Sequence, residues 1–150
     1  MDLLTLKKNL GKVISNYDSI ISRVLKQNEK DAVKLNQFQM RAGKLRINDE
    51  WIGELKSLPY AKRKIAKGGK APYRKVDLYN TGEFQSEMYA EPNIDANHTG
   101  YLIFSSLSDT LQFLKGYTSY IFGTDEENTN ELKDIIEFQL IEKIKNGLQL

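Results

Sequence analysis

Leu3, Leu6, Leu10, Val13, Tyr17, Ile20 and Val24 follow one another at intervals of 3, 4, 3, 4, 3 and 4. This is a heptad seam over three repeats, and it predicts an α-helix. Leu4, Ile14, Ile21 and Leu25 widen the stripe, which suits packing on a sheet or in a bundle better than an isolated two-stranded coil. After Val24 the seam positions become Gln27, Asp31 and Lys34, and a second stripe of Ala32, Leu35 and Phe38 takes over on a rotated face. Gly11 is the weak point, about 1 kcal/mol less favourable in a helix than Ala. The pattern predicts one long helix over 2–39, ending before Gly43. At about 1.5 Å per residue it is longer than a small domain needs. One end is therefore expected to pack on a neighbouring subunit, with the seven seam residues as an assembly helix.

Periodicity lapses over 40–75. Trp51, Ile52, Leu55 and Leu58 fit a short helix ended by Pro59. Residues 61–75 are rich in Lys and Arg and contain Gly68-Gly69 and Pro72, which predicts a loop or arm ordered only against a partner. Patterning returns at 76. Thr81-Gly82 marks a turn, with Gly82 expected at positive φ, and Phe84 and Met88 would share one face of a short helix over 83–88. Weak alternation from Tyr89 to Ile94, a turn-rich stretch from Asp95 to Gly100 and a buried strand from Tyr101 to Ser105 predict a hairpin over 88–106. Ser108 is expected to cap a helix over 109–115, with Leu111 and Leu114 inward. Thr124-Asp125-Glu126-Glu127 fits a capping box with Thr124 as the cap. The last helix would bury Leu132, Ile135, Ile136, Leu140, Ile144 and Leu148, and Gly147 would fray its end. The fold class is α+β. A long N-terminal helix (1–39) and a C-terminal helix pack on a small antiparallel sheet, with a basic loop or arm at 40–75 and an α+β core at 76–150.

Composition adds bounds. A chain of 150 residues, 40% hydrophobic and 28% charged, is read as one domain with room for solvated or partner-covered helices. Cysteine is absent, so no disulfide or thiolate site exists in this sequence. The N-terminus lacks the pattern of a signal peptide. The longest apolar run, Tyr101 to Phe104, is far short of a membrane span, so no membrane partner is expected.

The net charge of +2 conceals a division. Residues 41–75 hold 11 Lys/Arg against 3 Asp/Glu, whereas 76–150 hold 4 against 13. A basic middle beside an acidic half suits nucleic-acid binding or head-to-tail pairing of copies.

Little in the sequence points to catalysis. His98, the one histidine, falls in a hairpin turn and reads as a solvated loop residue. Asp125, Glu126 and Glu127 are adjacent on a helix, so they diverge rather than converge on one ion; they suit the positive end of the helix dipole. Lys67-Gly68-Gly69-Lys70 lacks the spacing and the Ser/Thr of a phosphate loop. No catalytic residue, metal ligand or cofactor is assigned. The basic residues Lys62, Arg63, Lys64, Lys67, Lys70, Arg74 and Lys75, flanked by Tyr60 and Tyr73, are candidates for contact with DNA or with another subunit.

Two runs carry a resemblance. Leu78-Tyr79-Asn80-Thr81-Gly82-Glu83-Phe84-Gln85-Ser86-Glu87-Met88 is followed, after the predicted strands, by Tyr117-Thr118-Ser119-Tyr120-Ile121-Phe122-Gly123-Thr124 and an amphipathic helix. In that order they resemble the tail-completion, or head–tail connector, proteins of tailed bacteriophages. The likeness extends to a group from phages and prophages of Bacteroidetes, through Tyr17 to Leu35 with its Lys26-Gln27-Asn28-Glu29, Asp77 to Gly82 and Ile121 to Asn128. Asp77, Glu83 and the Asp125-Glu126-Glu127-Asn128 run depart from the broader family pattern. The resemblance implies a non-enzymatic ring subunit of six or twelve copies at the neck or upper tail, with turn residues Thr81, Gly82, Gly123 and Thr124. It implies residence in the virion after assembly in the host cytoplasm. Its partners would be itself, other neck, portal or tail proteins, and packaged DNA. The alternative is a basic nucleic-acid-binding or packaged phage protein that forms no neck ring.

Overall fold

The computed structural model describes residues 2–45, 52, 58–67, 76, 78, 82–95, 98–107 and 121–149. The fold is α+β, as the pattern predicts, with N-terminal and C-terminal helices and a two-stranded antiparallel sheet.

The N-terminal rod is not one helix. It is three segments, α1 (Leu3–Ser15), α2 (Tyr17–Gln27) and α3 (Glu29–Arg41), parted at Asn16 and Asn28. Asparagine explains both breaks, because its side-chain amide competes with the backbone for helical acceptors. At Asn28 the amide Nδ2 takes the Val24 carbonyl at 2.8 Å, while the backbone N–H tightens onto Leu25 at 3.0 Å. At Asn16 Nδ2 donates to the Lys12 carbonyl at 2.8 Å. Asp2 caps α1, its Oδ1 accepting from the Thr5 N–H at 2.8 Å and its Oδ2 from the Thr5 hydroxyl at 2.9 Å. These bonds hold the Asp2 carboxyl below its usual range. At the far end Gly43 takes φ 82°, and Gly43 and Lys44 donate back to the Met40 and Gln39 carbonyls. That is a Schellman close.

Helix α4 (Leu58–Ala66) corrects the reading of 40–75 as loop or arm: Lys62, Arg63 and Lys64 are helical. Pro59 starts this helix instead of ending one, because a first-turn N–H has no intrahelical partner to lose. The other residues of the expected 51–58 helix, apart from Ile52 and Leu58, lie outside the described residues. So does the expected 109–115 helix with its Ser108 cap.

Helix α5 (Glu83–Ser86) is a single turn. Met88 therefore lies in β1 (Met88–Ile94), not on a helix face with Phe84, though both are buried. β1 pairs with β2 (Thr99–Ser105), Met88 opposite Ser105 and Ile94 opposite Thr99. The turn is closed by the Asp95 N–H on the His98 carbonyl and by the His98 N–H on Asp95 Oδ1.

Helix α6 (Glu126–Leu148) is capped by Asp125, whose Oδ1 accepts from Asn128 N–H at 2.9 Å. The cap is one residue later than expected, since the carboxylate is the stronger acceptor; Thr124 Oγ1 instead meets Thr129 Oγ1 at 2.7 Å. α6 runs antiparallel to the rod. Asn9 reaches the Leu148 carbonyl, and Asn28 and Gln139 exchange amide hydrogen bonds at 2.9 and 3.1 Å. Gly147 lets α1 and α6 come close: a Cβ there would lie 2.8 Å from Val13 Cγ2. The hairpin packs on α3 and α2. The main core joins Ala32, Val33 and Met40 to Phe84, Met88, Ala90, Ile103, Ile121 and Leu132.

Candidate functional site

The structure brings the two sequence runs together on one helix. Gly82, at φ 88°, opens α5 and accepts from the Ser86 N–H through its carbonyl at 2.9 Å. Gln85 is fully buried. Its backbone carbonyl accepts from Gln37 Nε2, and its Oε1 accepts from Arg41 Nε at 2.8 Å. The second run docks beside it, on the same stretch of α3. Asn36 Nδ2 donates to the Ile121 carbonyl at 3.0 Å and to the Gly123 carbonyl at 2.7 Å. Gln39 Oε1 accepts from the Asp125 N–H at 2.7 Å, at the point where α6 begins. Gly123 sits at φ 108°, a conformation in which a Cβ would be strained. Phe84 from one run and Phe122 from the other meet ring to ring, centroids 6.0 Å apart at 60°.

The junction is therefore a joint made by side chains of α3. Asn36 and Gln39 are buried and neutral, and their amides bind backbone groups that would otherwise be orphaned. Such an arrangement fixes geometry and carries no nucleophile or general base. Reading by apolar stripe missed these residues. Their signal was the position of amides at core spacing, Asn36 four after Ala32 and Gln39 three further on. Phe38, expected in that stripe, is 65% exposed, because the amides and Met40 hold the inner face. Thr81 lies outside the described residues, and Thr124 is half-buried.

The seam of the expected assembly helix divides. Val13 and Val24 are buried, and Leu6 and Ile20 are half-buried. Leu3, Leu10 and Tyr17 are exposed, Leu3 by 81%, and Leu4 and Ile14 beside them are 80% and 65% exposed. The outer face of the hairpin is also apolar. Tyr89 stands opposite Phe104, ring centroids 5.5 Å apart, and Leu102 is 48% exposed beside them.

Among the predicted basic contacts, Lys62 and Arg63 are exposed on α4, Lys64 is half-buried and Lys67 follows the helix end. Lys70, Arg74 and Lys75 lie outside the described residues. His98 is exposed, with Nδ1 3.6 Å from Asp95 Oδ1. Among the described residues no group of three His, Asp or Glu is placed to hold a metal ion, and no helix is long and apolar enough to cross a membrane. A groove of about 360 Å³ between β2 and α6 is lined by Leu25, Tyr101, Ile103, Leu132 and Ile136, with Lys133 and Glu137 at its side. The Tyr101 hydroxyl donates to the Leu25 carbonyl at 2.6 Å. Burial, then the nearby Glu29 and Asp31 charges, raise its pKa well above the ordinary tyrosine value.

No protein-family model, no curated protein and no solved structure matches this chain.

Proposed function

We propose that this chain is a structural, non-enzymatic virion subunit of a tailed bacteriophage, assembling as a ring of six or twelve copies at the head–tail connector or upper tail. The observation that carries the reading is the exposed apolar stripe of α1 and the start of α2. Leu3, Leu4, Leu10, Ile14 and Tyr17 stay exposed although α1, α2 and α3 all pack against α6. Apolar area gathered in this way marks an interaction surface. The order of the two runs, and the joint they form on α3, support the connector assignment through the resemblance described above. In this reading the neighbours are further copies and other neck, portal or tail proteins, and DNA passes through the ring. Electron microscopy of the purified protein tests it. Annular particles of six or twelve chains are expected; a protein that stays monomeric at every concentration reached would overturn the reading.

One observation favours the alternative of a nucleic-acid-binding phage protein. Lys62 and Arg63 are exposed on a short helix, and Arg63 follows Tyr60 by one turn, so a cation and an aromatic share a face suited to nucleic acid. A monomer with DNA affinity that falls steeply with salt would establish that reading in place of the ring.

A further inference from the structure

By spacing, Leu3, Leu10, Ile14, Tyr17, Ile21 and Val24 make one apolar series, at intervals of 7, 4, 3, 4 and 3, that runs across the break at Asn16. Its two ends are in different states. Ile21 and Val24 are buried in α2, which packs on β1 and on α6. Leu3, Leu10 and Ile14 are exposed on α1, which packs on α6 and α2, and Tyr17 is exposed at the start of α2. The apolar face thus continues beyond the part that the hairpin and α6 cover. A second surface has the complementary fault. An antiparallel sheet with one covered face ordinarily turns polar residues to water. Here Met88, Ala90 and Ile103 face the core, yet Tyr89, Leu102 and Phe104 crowd the outer face.

Charge says what covers each. The hairpin region, 83–107, contains Glu83, Glu87, Glu91 and Asp95 and no Lys or Arg. Glu91 stands on the outer face, directly opposite Leu102. α1 carries Lys7, Lys8 and Lys12, and Lys7 lies within the stripe, four after Leu3 and three before Leu10. Pairing α1 with the α1 of another copy would set these lysines against one another. Pairing it with a hairpin sets them against carboxylates and covers apolar surface on both sides.

Resting on the assembly reading above, we propose that α1 and the first residue of α2 of one copy pack the Leu3–Leu10–Ile14–Tyr17 stripe on the outer hairpin face, Tyr89–Leu102–Phe104, of the next copy. The two patches are different surfaces of one chain, so the contact is heterologous: each copy gives one patch and receives the other. The neighbour's helix then completes a helix–sheet–helix sandwich around a two-stranded sheet too small to be stable alone.

Two variants test this. Leu10→Asp with Ile14→Asp spoils the stripe, and Leu102→Glu with Phe104→Glu spoils the hairpin face. All four positions are exposed, and circular dichroism verifies folding. Mass is read by light scattering. Each variant alone should be a single chain. An equimolar mixture retains one good patch on each partner and should give a two-chain particle and nothing larger. Because the chain has no cysteine, Ile14→Cys with Leu102→Cys offers an independent readout that keeps the other apolar residues: oxidation should give a ladder of linked chains. Wild type that assembles together with variants that assemble equally well, or a mixture that stays single-chain, or no ladder, would overturn this contact and leave self-assembly standing. Wild type that never assembles would overturn the assembly reading itself.

Discussion

Gly82 shows how one residue fixes the turn that the sequence announces. At φ 88° it supplies a left-handed step that an L side chain resists. Gly82→Ala is expected to destabilise the chain by about 1 kcal/mol or more in chemical denaturation; an unchanged midpoint would show that the turn relaxes freely. Asn36 has the opposite character, since its role depends wholly on distant partners. It is fully buried and binds both Ile121 and Gly123. Asn36→Ala leaves those carbonyls short of a donor, and a loss of about 1–3 kcal/mol is expected by denaturant titration. Tyr101 gives a pH dependence with a definite sign. Its folded pKa is raised, so its neutral form is favoured by folding. That contribution is complete below the ordinary tyrosine value of 10.0 and is lost as pH rises through the higher folded value. Alkaline unfolding should therefore begin later in Tyr101→Phe. The wild type should also show one of its 8 tyrosines ionising late by tyrosinate absorbance.

At the scale of elements, two helical glycines separate propensity from packing. Gly11 faces open space, whereas a Cβ on Gly147 would press within 2.8 Å of Val13. Gly11→Ala should stabilise by up to about 1 kcal/mol, raising Tm by roughly 2–4 °C. Gly147→Ala has the same propensity gain but must push α1 from α6, so its Tm should stay level or fall. An equal rise in both would mean that the α1–α6 contact is loose. The helix breaks belong to this scale as well. Asn28 closes its own break and pairs with Gln139, so the bend between α2 and α3 is tied to the middle of α6.

For the whole molecule the division of charge matters most. Residues 41–75 hold 11 Lys/Arg, and 76–150 hold 13 Asp/Glu. In a ring, copies whose basic segments lay side by side would repel, and the nearest relief encoded in the chain is the acidic half of a neighbour. Charge reversal at Lys62, Arg63 and Lys64 is expected to abolish assembly in the absence of DNA, measured as particle mass. Normal particles that retain DNA poorly would place α4 in a DNA channel instead.

What was legible in the sequence was local. The hairpin, the positive φ of Gly82, the stop at Gly43 and the C-terminal helix each follow from a few adjacent residues whose turn chemistry or periodicity admits one backbone. The Asn16 and Asn28 breaks escaped because an apolar seam runs through the first without a fault. The second coincides with a change of stripe that reads equally well as rotation of one helix. The joint on α3 escaped for another reason. An amide at core spacing announces that it needs a partner but not which one, and the partners of Asn36 and Gln39 arrive with the Gly123 run from far along the chain. The seam itself is the sharpest case. Spacing alone makes Leu3, Leu10 and Tyr17 equivalent to Val13 and Val24. Only the tertiary structure decides between them, because burial is set by where α6 and the hairpin lie against the rod, and their positions are not written in the rod's own periodicity.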